Sequence, residues 1–100
     1  MVSTQKEAVA LLTSPKMREA FERCHVTSVK LFGSFARGEQ NEKSDLDVLI
    51  DYGKVPDLFQ FMDLKYTIED ASGRKVDLVT EYSLRPELRE SITPDLKPVL

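Results

Sequence analysis

Three aspartates are the residues of this sequence whose type and spacing are best suited to chemistry. Asp45 and Asp47 are two residues apart at the start of a predicted strand, so their side chains point to the same face. Asp77 lies in another predicted strand, between hydrophobic neighbours. Carboxylates held close together repel one another unless a cation lies between them. Hard oxygen ligands of this kind favour Mg²⁺, which also binds substrate phosphates.

A Gly-Ser pair, Gly33-Ser34, ends the strand that precedes the first two aspartates. Glycine permits a close approach of the backbone, and backbone N–H groups with a serine hydroxyl can bind phosphate oxygens. Arg37 follows three residues later, and two interpretations of it are open. It contacts a phosphate, or it pairs with a carboxylate and braces the loop.

Helices and strands must alternate along the chain to position these residues. Capping signals predict helices that begin after Thr4, after Ser14 and after Asp57, and a last helix over residues 83–91. Short segments rich in apolar and β-branched residues predict three strands, over 26–32, 46–50 and 76–79. Residues 35–39 are predicted to form one helical turn, 40–44 a loop, and the tail after Thr93 an irregular segment. The pattern indicates an α/β or α+β fold around a small sheet, in a single domain spanning residues 1–100.

Composition excludes several classes of function. The chain has 100 residues, a net charge of −3 and a pI near 5.1, so the basic surface typical of proteins that bind long nucleic acids is not expected. One cysteine and one histidine cannot form an internal disulfide or a zinc site. The sequence has neither an apolar signal core nor a run of about 18 apolar residues. We therefore expect a cytoplasmic protein that does not enter a membrane.

The predicted helix after Asp57 carries more apolar side chains than one face needs. Its helical spacing predicts a buried stripe made of Leu58, Phe61, Met62, Lys65, Ile68 and Ala71, where Lys65 extends its ammonium group to solvent. The group Phe59, Phe61, Met62 and Leu64 is wider than that stripe. Either some of these side chains form a partner interface, or the helix is buried from two sides.

The remaining candidate residues are interpreted as structural. His25 is at a predicted helix end, and Cys24 continues an apolar helical face with Met17, Ala20 and Phe21. The tyrosines, Tyr52, Tyr66 and Tyr82, could stack on a nucleobase, but packing in the core or on the surface is favoured.

The combination of motifs resembles the DNA polymerase β-like nucleotidyltransferase superfamily. Gly33-Ser34 is followed after ten residues by Asp45-Leu46-Asp47, and the segment 33–38 is similar to the Gly-Ser-x-Ala-Arg-Gly element of its minimal nucleotidyltransferase (MNT) branch. Ser44 to Ile50 resembles the Ser-Asp-x-Asp element, and Val76 to Val79 resembles the third-carboxylate strand. The resemblance covers about half of the chain, and it implies a small mixed sheet flanked by helices.

The resemblance also implies a role for each matching residue. Gly33 and Ser34 would hold the triphosphate, with Arg37 and Ser44 as further nucleotide-binding residues. Asp45 and Asp47 would bind the metal that carries the triphosphate. Asp77 would complete a second metal site and act as the general base. The implied reaction needs one or two Mg²⁺ ions and a nucleoside triphosphate, with ATP as the expected substrate.

Partners are implied by the same resemblance, because many MNT proteins are antitoxins encoded beside a HEPN-domain ribonuclease toxin. The expected activity is transfer of AMP from ATP to a tyrosine of that toxin. A second hypothesis is a nucleotidyltransferase-like module that neutralises its partner by contact without catalysis. A third is transfer to a small-molecule acceptor, which is less expected because relatives of that type carry extra domains for the acceptor.

Overall fold

A computed structural model describes residues 1–100 and contains five α-helices and four strands. The elements in chain order are α1 (Gln5–Leu12), α2 (Pro15–Arg23), β1 (Val26–Phe32), α3 (Gly33–Arg37), β2 (Leu46–Tyr52), α4 (Leu58–Ser72), β3 (Val76–Thr80), α5 (Pro86–Ile92) and β4 (Lys97–Pro98), with a 3-10 turn at Thr93–Asp95. No helix is long and apolar enough to span a membrane.

The predicted helix caps are present. The side chain of Thr4 accepts a hydrogen bond from the Glu7 amide, and that of Ser14 accepts one from the Met17 amide. Asp57 and Gln60 form both hydrogen bonds of a capping box at the start of α4. Such caps satisfy amides that have no acceptor within the helix, which fixes where each helix begins.

The four strands form one mixed sheet in the order β3-β2-β1-β4. β1 pairs antiparallel with β2 and with β4, while β2 and β3 are parallel. The end of β1 and the beginnings of β2 and β3 therefore lie at the same edge of the sheet. The predicted fold class, a small mixed sheet with flanking helices, is confirmed.

The two faces of the sheet are covered unequally. One face packs against α1, α2 and α4 in a core of 17 buried residues that includes Leu31, Val48 and Ile50. The other face has a cluster of only four buried residues, which are Phe32, Leu49, Leu84 and Ile92. Because alternate residues of a strand face opposite sides, Asp47 and Asp77 are on this less covered face.

The structure corrects the prediction for the C-terminal segment. The tail after Thr93 is not irregular, because Lys97 and Pro98 pair with β1 and the amide of Val99 donates to the carbonyl of Val29. The segment contains too few residues for its pairing to be visible in a sequence pattern. Its partner is also about seventy residues away, and distant pairings leave no local signal.

Several element boundaries also differ from the prediction. The last helix begins at Pro86 rather than at residue 83, because Ser83 forms a turn with Thr80 through hydrogen bonds between their hydroxyl and backbone groups. α3 begins at Gly33 rather than at residue 35. β2 begins at residue 46 as predicted but extends to Tyr52, and Asp45, which was expected at the start of the strand, precedes it.

The predicted buried stripe of α4 is partly wrong. The buried positions are Leu64, Ile68 and Ser72, which are four residues apart on one line of the helix, while Ala71 is exposed. Leu58 is 71% and Phe59 85% exposed, since the first turn of α4 lies outside the core. Phe61 and Met62 are half-buried, so α4 is covered from one side only.

Candidate active site

The three predicted aspartates converge at one edge of the sheet. Phe32, the last residue of β1, pairs with Asp47, and Asp47 pairs in turn with Asp77 of the parallel strand β3. Asp45 precedes β2 by one residue and is close enough for its negative charge to act on Asp47. The main chain of this edge is held by the Leu46 amide, which donates to the carbonyl of Lys75 at 2.9 Å.

The electrostatics of Asp47 show how closely the acids are grouped. The pKa of Asp47 is raised from 3.8 to about 6, first by partial burial and then by the negative charges of Asp77 and Asp45. The positive charge of Arg37 opposes this shift. Asp45 and Asp77 are exposed. The face therefore carries an excess of negative charge that a bound cation would neutralise.

The three aspartates are chemically suited to bind Mg²⁺, but their side chains do not surround a common metal position. Three carboxylates supply the hard oxygen ligands that Mg²⁺ prefers. Nevertheless, no group of three or more His, Cys, Asp or Glu side chains surrounds a common point at metal-binding distance.

Gly33 is required at its position for two reasons. Its φ is +69°, a left-handed conformation that strains residues with a Cβ atom. A Cβ at this position would also lie 2.1 Å from Oδ2 of Asp47, so any side chain would displace that carboxylate. Gly33 and the side chain of Asp47 therefore pack closely against each other across the β1–β2 pair. The sequence indicated a close backbone approach at Gly33, but it did not reveal Asp47 as the neighbour.

Ser34 lies in the first turn of α3, directly after Gly33 and half-buried. No side chain caps the start of α3. Amides in the first turn of a helix lack acceptors within that helix, so they can donate to an external acceptor such as a phosphate oxygen. This arrangement is compatible with the role predicted for the Gly33-Ser34 pair.

Arg37 forms two ion pairs that support the bracing interpretation. Its Nε is 3.1 Å from Oε2 of Glu39, and its Nη1 is 3.0 Å from Oδ2 of Asp95 in the 3-10 turn. The hydrogen bonds to Glu39 and Asp95 raise the pKa of Arg37. Direct contact of Arg37 with a phosphate stays a prediction.

Ser44 is part of the loop that leads into Asp45. Its hydroxyl accepts a hydrogen bond from the Asn41 amide at 2.9 Å, and its own amide donates to the Asn41 carbonyl at 3.1 Å. These bonds close a turn and orient the backbone before Asp45. A contact between Ser44 and a nucleotide stays a prediction.

Arg74 is the residue of this region that the sequence interpretation missed. It forms no ion pair within 4 Å. Its guanidinium group instead donates to backbone carbonyls, among them that of Ser44 at 2.9 Å. An arginine directly after a helix-ending glycine gives no sequence signal for such a role.

The residues interpreted as structural are placed accordingly. Cys24 is buried in the main core, and burial raises the pKa of its thiol. His25 adopts a φ of +58° in the turn between α2 and β1, where its carbonyl accepts from the Gly53 amide. Tyr66 and Tyr82 are exposed, and Tyr52 ends β2 at the edge opposite Asp47.

A shallow polar cavity lies at this opposite edge, lined by Glu22, His25, Val26, Thr27, Gly53 and Lys54. It contains none of the aspartates. The candidate active site is therefore an open face rather than an enclosed cavity.

The chain is similar to known proteins in sequence and in fold. The nucleotidyltransferase domain family matches residues 14–97. The protein adenylyltransferase MntA of Thermococcus cleftensis is 37% identical over 89 residues, which are 89% of this chain and 89% of that protein. A solved structure described as a "putative minimal nucleotidyltransferase" is 34% identical with a TM-score of 0.73, covering 94% of this chain and 90% of its own.

A more distant structure shares the fold. It is a tri-AMPylated Shewanella oneidensis HEPN toxin in complex with an MNT antitoxin, and the matching chain is 18% identical with a TM-score of 0.68. The match covers 97% of this chain and 72% of the other. On the family match and the two closer relatives, the chain belongs to the nucleotidyltransferase domain family, in its minimal branch.

Proposed function

We propose that this chain is a protein adenylyltransferase that transfers AMP from ATP to a hydroxyl group of a HEPN-type toxin, and so acts as its antitoxin. The observation that carries the proposal is the convergence of Asp45, Asp47 and Asp77 beside Gly33-Ser34 on one open face. The MntA relative is named a protein adenylyltransferase, and the more distant complex contains an AMPylated HEPN toxin. We further propose that residues 1–100 act as one domain in the cytoplasm, where ATP is available.

Each residue has a defined task in the proposed reaction. Gly33 and Ser34 bind the triphosphate through the first turn of α3, and Asp45, Asp47 and Asp77 hold one or two Mg²⁺ ions. Bound Mg²⁺ would neutralise charge on the phosphates and on the attacking and leaving oxygens. Arg37 and Ser44 fix the loops on either side of the triphosphate, and either can add a contact to it.

The chemical step is an in-line displacement at the α-phosphorus. The acceptor hydroxyl oxygen forms a bond to this phosphorus while the bond to the pyrophosphate oxygen breaks. Asp77, exposed at the start of β3, accepts the hydroxyl proton. Pyrophosphate leaves with the electron pair of the broken bond. Positioning and charge neutralisation supply most of the rate enhancement in such transfers.

The openness of the face favours a folded protein as the acceptor. A small molecule would need a pocket, and the one cavity of the structure lies at the opposite edge of the sheet. A partner protein positions its own hydroxyl when it docks, so the transferase needs no acceptor pocket. Leu58 and Phe59, exposed at the start of α4, follow the end of β2 at the opposite edge of the sheet and offer a second, separate apolar surface to such a partner.

The direct test is intact-mass spectrometry of the protein encoded beside this chain, after co-expression with it. The wild-type chain should add mass in whole AMP units, and Asp45→Asn/Asp47→Asn should add none. Asp51→Asn is the matched control, because Asp51 is an exposed aspartate on the same strand at the opposite edge. It should modify the partner as the wild type does.

The other outcomes separate the alternatives. A partner that binds tightly yet gains no mass would support an antitoxin that acts by contact without catalysis. A partner that neither binds nor gains mass would overturn the proposal and favour a small-molecule acceptor. Modification that persists in the double variant would show that the aspartates are not the metal ligands.

A further inference from the structure

Arg74 is a buried cation without a carboxylate partner. It is 7% exposed, and no acidic side chain lies within 4 Å of it. Burial of a charge is costly unless hydrogen bonds satisfy it. Its hydrogen bonds are therefore strongly favoured, and the groups that accept them are held firmly.

The acceptors are backbone carbonyls from two separate segments. Nη1 donates to the carbonyls of Asn41, Glu42 and Ser44 at 3.1, 3.4 and 2.9 Å. Nε donates to the carbonyl of Val2 in the N-terminal segment. A planar guanidinium has donors in fixed directions, so it holds several carbonyls in one arrangement.

The same group packs on α3. Its central carbon lies 5.0 Å from the centroid of the Phe35 ring, which is fully buried. A guanidinium over an aromatic face is attracted by the ring quadrupole, more strongly when both are removed from water. Arg74 thus links α3 to the 41–44 loop.

These contacts fall on the immediate neighbours of the proposed nucleotide-binding residues. Phe35 follows Ser34, which would bind the triphosphate, and Ser44 precedes Asp45, which would hold its metal ion. The two must lie at a fixed separation if one Mg-ATP is to bridge them. We infer that Arg74 is a positioning residue. Through its contacts with Phe35 and the 41–44 loop it sets the separation between Ser34 and Asp45, without touching the nucleotide. This inference rests on the proposed function.

The test compares Arg74→Met, Arg74→Lys and the control Arg23→Met, with the affinity for Mg-ATP measured by calorimetry below the melting temperature. Met keeps most of the side-chain volume but removes every donor. Arg23 is an exposed arginine of α2, paired only with Glu19 at 3.3 Å. We expect Arg74→Met to weaken Mg-ATP binding about tenfold or more, since small displacements of binding groups are costly. Arg74→Lys should restore part of this loss, and Arg23→Met should bind as the wild type does.

A role in folding stability without positioning would give a different result. Arg74→Met would then melt at a lower temperature, while its folded fraction would bind Mg-ATP within about twofold of the wild type. That outcome would overturn the inference. An equal loss of affinity in Arg23→Met would overturn it as well, because the effect would then follow from net charge.

Hydrogen–deuterium exchange keeps the inference testable if Arg74→Met does not fold. Arg74→Lys should exchange the amides of residues 41–46 faster than the wild type, with α2 unchanged. Equal exchange in that loop would overturn the positioning role. If the wild-type chain itself binds no Mg-ATP, the proposed function fails, and the exchange of the loop then decides the role of Arg74 independently.

Discussion

At the scale of single residues, the site is a compromise between binding and stability. Asp47 is half-buried beside two other carboxylates, and this raises its pKa to about 6. Gly33 leaves the space into which Asp47 Oδ2 fits. Both features destabilise the free protein slightly, and they place hard oxygen ligands against the Gly-Ser element.

Asp47→Asn should stabilise the metal-free protein at neutral pH. The pKa of Asp47 is higher in the folded than in the unfolded chain, so between pH 3.8 and about 6 the folded state binds more protons. The contribution of Asp47 to the unfolding free energy therefore decreases as the pH rises through this window. At pH 7 we expect the unfolding free energy of the variant to be higher by about 1 kcal/mol, a value reduced to allow for the solvent exposure of the carboxylate.

Urea denaturation in a chelating buffer at pH 4 and pH 7 measures this effect. The unfolding free energies of Asp47→Asn and the wild type should be nearly equal at pH 4, and that of the variant should be higher at pH 7. Asp51→Asn serves as the control with the same charge change. A variant equal to or less stable than the wild type at pH 7 would contradict the account of repulsion at Asp47.

Gly33→Ala and Gly38→Ala form a second matched pair. Both glycines have left-handed backbones, with φ of +69° and +72°, so each alanine costs about 1 kcal/mol in backbone strain. Gly38 has open space for a Cβ, whereas Gly33 has Oδ2 of Asp47 at 2.1 Å. Only Gly33→Ala should therefore also weaken Mg-ATP binding. Calorimetric titration of both variants tests this, and equal affinities would show that the Gly33–Asp47 contact is dispensable for binding.

At the scale of elements, mixed strand directions build the site. Because β2 and β3 are parallel and β1 is antiparallel, the Gly-Ser element and both aspartate strands meet at one edge. The helices reinforce this arrangement from the other face of the sheet. Gln5 of α1, for example, donates to the carbonyls of Phe35 and Ala36 at 3.0 and 2.9 Å.

Deletion of residues 97–100 should reduce stability, since these residues cover the free edge of β1. Three backbone hydrogen bonds join Val29 to Val99 and Leu100, and Val99 packs against the main core. Their loss should cost about 2–3 kcal/mol in the unfolding free energy. Denaturant titration measures it, and Lys97→Ala is the control because it leaves the backbone in place. An unchanged midpoint would show that β4 adds nothing to the sheet.

At the scale of the whole molecule, the unequal covering of the sheet leaves one face open near the aspartates. Apart from residues of the strands themselves, only Leu84, Ile92 of α5 and Leu96 contribute to its small apolar cluster. A second accessible region is the first turn of α4, where Leu58 and Phe59 are exposed. A partner interface formed by part of the group Phe59, Phe61, Met62 and Leu64 stays a prediction.

Phe59→Ser separates a role in the core from a role in an interface. A side chain that is 85% exposed contributes little to folding, so the unfolding free energy should change by less than about 0.5 kcal/mol. Binding to the HEPN partner should weaken, while Mg-ATP affinity stays unchanged. Tyr82→Ser, at a residue 90% exposed elsewhere on the molecule, is the control. Partner affinity equal in both variants would exclude Phe59 from the interface.

The sequence determined the local features of this protein. Thr4, Ser14, Asp57 and Gly73 mark helix ends through their own hydrogen bonds and backbone preferences, and these signals act within a few residues. The Gly33-Ser34 and Asp45-Leu46-Asp47 elements were likewise recognisable, because their residue types and spacing are specific for phosphate and metal chemistry.

Tertiary structure alone decided the remaining features. The pairing of Lys97 with β1, the burial of Arg74 beneath the 41–44 loop and the contact of Gly33 with Asp47 all join residues that are distant in the chain. The exposure of Leu58 and Phe59 depends on where the core ends, which helical periodicity cannot indicate. Such contacts depend on how the helices and strands pack against one another. Local secondary-structure propensities act within a few residues and therefore do not specify that packing.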